Sequence, residues 1–196
     1  MVPLVIASGV VLIVLAQGRA AKAACSVFVA SAILLFANSA VYHVGKWGRV
    51  LDNVLRRLDH SNIALIIAGT YTPLAVVLMK GSQRALLLWL VWVGALAAIA
   101  VRLTWMNAPR WSYVPIYIAL GWTALGFMPS LWRSGGPGLV WLLLAGGLAY
   151  TGGAVIYGLK RPNPLPHWLG FHELFHVGTV AGYSCHFIAV MMVTLR

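Results

Sequence analysis

The chain alternates between long apolar blocks and short stretches in which Lys, Arg, Gly and Pro collect. Reading the blocks between these breaks gives seven candidate helices: Val2 to Gln17, Ala24 to Tyr42, Ser61 to Met79, Ala85 to Val101, Tyr113 to Trp132, Leu139 to Leu159 and Leu169 to Leu195. Each is close to the roughly 20 residues that an α-helix needs to cross a hydrocarbon core. The pattern therefore predicts an all-α integral membrane protein, a single bundle of seven transmembrane helices over residues 1–196. The breaks read GRAAKA, GKWGRVLDNVLRR, KGSQR, RLTWMNAPR, RSGGPG and KRPNPLP, too short to hold a separate extramembrane domain. Pro73, Pro115 and Pro129 fall inside blocks and are expected to kink them, which neighbouring helices tolerate in a membrane. The first block is short for a span and has no basic residue before it. It reads as a first helix whose start lies a few residues ahead of Met1, and not as a cleaved signal.

Composition removes the main competing classes. The chain is 61% hydrophobic and 9% charged, where a soluble domain carries about 25% charged residues. Its 14 Lys and Arg face 3 Asp and Glu. The basic residues sit at the ends of apolar blocks, where they meet lipid phosphates, and no basic polar face of the nucleic-acid-binding kind is formed. The 9 Trp and 7 Tyr suit interfacial belts. Cys25 and Cys185 lie in apolar sequence and read as free thiols. The densest cationic break holds Lys46, Arg49, Arg56 and Arg57, which places that side and the N-terminus in the cytoplasm.

With so few acids, each ionisable residue in or beside a span is a functional candidate. His43 ends the second span, Asp59 precedes the third, and His172, Glu173 and His176 open the seventh. In a seven-helix topology these three helix ends lie on one membrane face. His172 and His176, four apart, share a helical face and can present two imidazoles to one ion, and Ser39 precedes His43 at the same spacing. Three imidazoles and a water would make a catalytic zinc, with Asp59 orienting or deprotonating the water and Ser39 bonding a ligand or substrate oxygen.

Plainer roles stand beside these. A lone His at a helix end, such as His43, is ordinarily interfacial, and Asp59 suits an N-cap; spacing leaves the cap and the metal-site role open. His60 is expected at the headgroups and His167 in a loop. His186 lies about 15 Å along the helix from His176, too far for the same ion, and reads as packed or hydrogen-bonded. HELFH also fits the HExxH pattern, which raises an intramembrane metalloprotease with Glu173 as base. The longer pattern with Gly and a third His fails, and a first-turn acid favoured by the helix dipole explains Glu173 better.

SAVYH, RRLDHSNIALIIAGTYTP and HELFH with its following CHF resemble the hemolysin III branch of the progestin and adipoQ receptor family in order, spacing and helix placement. The resemblance falls on Ser39, His43, Asp59, His172 and His176. It implies seven helices with a cytoplasmic N-terminus, zinc held by His43, His172 and His176, and Asp59 acting through the bound water. The family is also similar to alkaline ceramidases in this motif set, which implies hydrolysis of a lipid amide or ester, and its bacterial members point to membrane lipid homeostasis in the cell membrane. Many members carry an acid, an Asn and a His near the first helix, and Met1, Val2 and Pro3 do not supply them. Two functions follow as expectations: a zinc-dependent lipid hydrolase with substrate entering from the bilayer, or a non-catalytic sensor of lipid state with structural zinc. Lipids are the expected partners and nucleic acid is not. A transporter is disfavoured because no charged pathway crosses the midplane.

Overall fold

The computed structural model describes residues 1–105, 108–165 and 168–195. The His167 reading lies outside the described residues. The described residues are helical throughout their long elements and contain no strand, only an isolated bridge between Leu165 and Leu169. They divide into two compact units, Met1–Ala108 with the residues from Thr194 on, and Pro109–Val193.

The first unit holds α1 (Val2–Leu15), α2 (Arg19–Val44), α3 (Arg49–Leu78) and α4 (Gly81–Thr104). α2 packs on α3, α3 on α4 and α1 on α2. Polar side chains stitch these packings from within. Asn62, 4% exposed on α3, donates to the Leu34 carbonyl of α2 at 2.9 Å, and Asn38 on α2 returns a bond to the Leu55 carbonyl at 3.2 Å. On another face of α3, Thr72 accepts a bond from the Trp92 indole of α4 at 3.1 Å. Such interhelical bonds are worth about 0.6 kcal/mol each in a membrane and mainly fix register.

α3 departs from the sequence expectation. The stretch GRVLDNVLRR, read as a loop, is helix from Arg49 onward, so the third helix begins three turns before Ser61. RVLDNVLRRL is amphipathic, with Val50, Val54 and Leu58 on one side, and continues the helix although its charges lower its hydropathy. Asp59 therefore lies inside α3, and the N-cap reading of this residue is corrected.

The second unit holds α5 (Arg110–Gly121), a 3₁₀ stretch over Trp122–Phe127, α6 (Met128–Leu159) and the body of α7 (Phe171–Thr194). From Arg110 to Leu159 the chain is helical with one break, at Gly136, whose φ of 81° and ψ of 172° no side-chain-bearing residue adopts readily. Pro137 follows and restarts the helix, since it has no N–H to contribute to the preceding turn. The expected loop RSGGPG is thus a one-residue break. Pro73 and Pro115 lie within α3 and α5 as expected, whereas Pro129 sits in the first turn of α6, after the 3₁₀ stretch.

α6 and α7 meet through glycine. A side chain on Gly178 would stand 2.8 Å from the Ala149 carbonyl and 3.0 Å from the Gly153 Cα, so the two backbones touch there. Gly146 makes room for the His186 ring and Gly182 for Tyr150. This is the small-residue packing that holds helices together in lipid, where apolar burial alone offers no drive. His186 is packed and hydrogen-bonded as expected: its Nε2 lies 3.3 Å from the Leu143 carbonyl and its ring 5.4 Å from that of Tyr150. Cys25 and Cys185 are free.

Candidate metal centre

Each unit builds one part of the expected constellation. In the first unit, Ser39 and His43 lie one turn apart near the end of α2, while Asp59 comes from the interior of α3. The two bonds through Asn38 and Asn62 hold α2 and α3 in the register that brings these residues together. The Ser39 side chain lies beside the Asp59 carboxylate, and the His43 imidazole is close enough to act on that carboxylate electrostatically. His43 itself is exposed, with its ring tilted against Tyr42 at 4.8 Å between centroids. His60, the neighbour of Asp59, stays out of this group, with its Nδ1 2.8 Å from the Arg56 carbonyl.

In the second unit, His172 and His176 occupy the first two turns of α7. Their Nε2 atoms are 3.1 Å apart and their rings stand edge to face at 88°. Two nitrogens each about 2.0–2.1 Å from a tetrahedral zinc stand about 3.3–3.4 Å apart. The pair is already within a few tenths of an ångström of that separation. Asn163 accepts the Phe171 N–H through its side chain at 3.1 Å and so anchors the helix start that carries both rings.

Glu173 does not join them. It is exposed, and its Oε2 accepts the Gly170 N–H at 2.9 Å. That is the first-turn role anticipated for it, satisfying a helix-terminal donor.

Sequence reasoning missed Arg110 and Tyr157. The Arg110 guanidinium lies 4.1 Å above the Tyr157 ring and 5.4 Å from that of Phe171, and it donates to the Tyr157 carbonyl at 2.7 Å. The Tyr157 ring is in turn 6.1 Å from His172 and 5.0 Å from Phe175. A cation fixed by π-contact and a charge-assisted bond thus belongs to the surroundings of the histidine pair. Arg110 had counted only as a charge in the fourth break, because nothing in its spacing links it to Tyr157.

Among the described residues, His43 in the first unit and the His172–His176 pair in the second are imidazoles of the kind that ligates a metal ion. Five helical stretches are long and apolar enough to cross a membrane, Arg19–Val44, Arg49–Leu78, Gly81–Thr104, Arg110–Leu159 and Phe171–Thr194, and Val2–Leu15 is a shorter apolar helix. With polar and imidazole groups gathered at helix ends, they define a multi-pass integral membrane protein.

The family follows from comparison with known proteins. Residues 1–187 match the family described as Haemolysin-III related, and the chain belongs to it. It is 28% identical over 172 residues to the Hemolysin-3 homolog of Bacillus subtilis (strain 168), covering 87% of this chain and 77% of that protein. It is 30% identical over 176 residues to Hemolysin-3 of Bacillus cereus, covering 89% and 77%. A more distant relative is the Heptahelical transmembrane protein ADIPOR2 of Oryza sativa subsp. japonica, 27% identical over 180 residues, covering 84% and 79%. This relative joins the chain to the wider progestin and adipoQ receptor family.

Proposed function

We propose that this protein is a seven-helix, zinc-dependent hydrolase of a lipid amide or ester, acting in membrane lipid homeostasis. The observation that carries the reading is the His172–His176 pair, with two Nε2 atoms at 3.1 Å on one helical face. Hydrogen bonding between the rings accounts for the contact but not for the choice of two imidazoles at the head of a membrane helix, where polar groups are costly. A metal accounts for both.

His43, His172 and His176 are the ligands in this reading. When bound, the ion supplies Lewis acidity and a nucleophile derived from water at neutral pH. The chain's own residues do the rest. Asp59 receives the proton released on attack, with the Ser39 hydroxyl and the imidazole of His43 beside it. Arg110, held on Tyr157, offers N–H donors to a substrate oxygen. Glu173 only caps its helix.

Seven spans follow if the break at Gly136 divides the 50-residue run from Arg110 to Leu159. Unbroken, that run would be about 75 Å long, against a hydrocarbon core of about 30 Å. The word heptahelical in the name of the rice relative supports the same count. The basic group Lys46, Arg49, Arg56 and Arg57 then puts the N-terminus in the cytoplasm.

The test is turnover. Purified wild type in lipid nanodiscs, incubated with ceramides and fatty acyl esters, is expected to release fatty acid. Asp59→Asn should abolish release while zinc content and elution profile persist. Fatty acid release by Asp59→Asn at the wild-type rate, or none by zinc-loaded wild type across these substrates, would overturn the hydrolase reading.

A further inference from the structure

Three helix ends of the second unit meet around one cation. Arg110 opens α5, Tyr157 lies in the last turn of α6, and Phe171 opens α7. The Arg110 guanidinium stands 4.1 Å above the Tyr157 ring and 5.4 Å from the Phe171 ring, and its Nη1 donates to the Tyr157 carbonyl at 2.7 Å. That carbonyl is one of those a helix end leaves without an intrahelical partner. The side chain is thus held by all three helices before any ligand arrives, which removes much of the ordering cost a long cation meets on binding.

What this guanidinium lacks is an anion. It has five N–H donors and directs one of them at Tyr157; among the described residues no other hydrogen bond and no ion pair engages it. Of the 3 acids in the chain, Asp52 and Asp59 belong to the first unit, and Glu173 gives its carboxylate to the Gly170 N–H. Lys160 and Arg161, exposed just beyond α6, add charge of the same sign as Arg110. The surroundings identify the counter-charge. Trp111, the next residue, is 76% exposed, and Leu165 and Leu169, ahead of α7, are 58% and 37% exposed. Tryptophan, apolar side chains and cations gathered at the ends of membrane helices mark the interfacial layer, where the anion within reach is the phosphate of a lipid headgroup. Guanidinium takes phosphate oxygens in bidentate fashion.

The histidine pair is the neighbour of this cation. The Tyr157 ring centre that lies 4.1 Å from the guanidinium carbon is 6.1 Å from the centre of the His172 ring. Cation and imidazole stand around one ring. In a glycerophospholipid only the glycerol carbons separate the phosphate from the acyl esters, so a phosphate held by Arg110 keeps an ester carbonyl in the neighbourhood of His172 and His176. A ceramide carries no phosphate and gains nothing from this cation.

We propose that Arg110 binds the phosphate of an anionic glycerophospholipid, and that the bond hydrolysed beside it, on the hydrolase reading on which this second step rests, is a phospholipid acyl ester. The oxygen of water bonds to the acyl carbonyl carbon and the acyl C–O bond breaks. The glycerol oxygen leaves with the electron pair and takes up a proton, giving fatty acid and lysophospholipid.

The experiment uses the full zinc-loaded chain in maltoside detergent, which brings no phosphate of its own, with phosphatidylglycerol and its phosphate-free counterpart diacylglycerol. Fatty acid release gives kcat and KM for each lipid, and native mass spectrometry gives the lipid retained. Wild type should retain phosphatidylglycerol more tightly than diacylglycerol and turn it over at the lower KM. Arg110→Gln should raise that KM and weaken that retention about tenfold or more, as loss of a charge-assisted bond does, with a smaller change for diacylglycerol. Arg110→Lys keeps the charge without the planar fork; it should fall between the two, and it carries the test should Arg110→Gln fail to fold. Arg133→Gln, which alters an exposed cation near the break at Gly136, should behave as wild type. Binding of inorganic phosphate that Arg110→Gln loses, without retention of phosphatidylglycerol by wild type, would assign the same site to the free ion. Equal retention of the two lipids by wild type without phosphate binding, or equal losses for both in Arg110→Gln, overturns the inference. No release from either lipid by wild type, with phosphatidylglycerol retention still dependent on Arg110, would end the hydrolase reading and leave the phosphate site standing.

Discussion

His172 and His176 present their Nε2 atoms to each other at 3.1 Å from adjacent turns of α7. If the pair exists to hold a metal, removing either ring should empty the site without unfolding a helix that Asn163 and Glu173 already anchor at its start. Elemental analysis of purified protein is expected to find about one zinc per chain in wild type, in keeping with one catalytic three-imidazole site. His172→Ala and His43→Ala should both lose it while eluting as wild type does. Retention of zinc by His43→Ala would remove that residue from the ligand set.

Glu173 distinguishes hydrolysis by this constellation from the HExxH alternative. Its carboxylate serves the Gly170 N–H, an acceptor role that an amide oxygen also fills. Glu173→Gln is therefore expected to leave zinc content and lipid turnover unchanged. A loss of turnover with zinc retained would make Glu173 the base in place of Asp59.

The split between what the residues announced and what they concealed has physical causes. Apolar blocks are visible because a bilayer demands them, and the histidine pair is visible because its partners are four residues apart on one helix. The first three turns of α3 were concealed because RVLDNVLRRL carries its charges on an amphipathic helix, which hydropathy alone reads as a loop. The Arg110–Tyr157 contact was concealed because it joins residues 47 apart in sequence, through geometry that only the packed helices define. Asp59 fell between the two. Its type marked it as a candidate, but choosing between cap and site needed the true start of α3.

The stitch between α2 and α3 should matter for the site as well as for stability. Asn62→Ala removes a bond from a 4% exposed amide to the Leu34 carbonyl. A loss of about 0.6–2 kcal/mol is expected, the range for interhelical bonds in membranes, read as a lower unfolding temperature in detergent. Because the same packing carries Asp59 toward Ser39, turnover should fall further than the fraction unfolded explains. Turnover that simply tracks the folded fraction would show that the register has slack.

Close backbone contact between α6 and α7 can be tested within one region. Gly178→Ala places a methyl 2.8 Å from the Ala149 carbonyl, a backbone atom that cannot step aside alone. A methyl on Gly152 meets nothing within 4 Å. Gly178→Ala should destabilise by about 1–3 kcal/mol, the usual range for overpacking, whereas Gly152→Ala should be neutral or slightly stabilising through better helix propensity. Equal unfolding temperatures for the two variants would show that α6 and α7 separate at little cost.

Gly136 carries the remaining expectation, and it concerns topology. Its φ of 81° and ψ of 172° belong to a region that only glycine enters freely, so Gly136→Ala must either hold a strained backbone at about 1–3 kcal/mol or refold the break. Pro137 limits the second route, because its ring disfavours helical geometry in the residue before it. The variant is therefore expected to lower the unfolding temperature without lengthening the helix. If the break turns the chain back across the bilayer, single cysteines at Ser134 and at Thr151, placed in a background without Cys25 and Cys185, should differ in reaction with a membrane-impermeant maleimide. Ser134, two residues from the break, should label at the membrane surface, and position 151, four turns beyond the break and half-buried beside Trp122, should be protected. Protection at both positions would place the break inside the bilayer and exclude the seven-span reading.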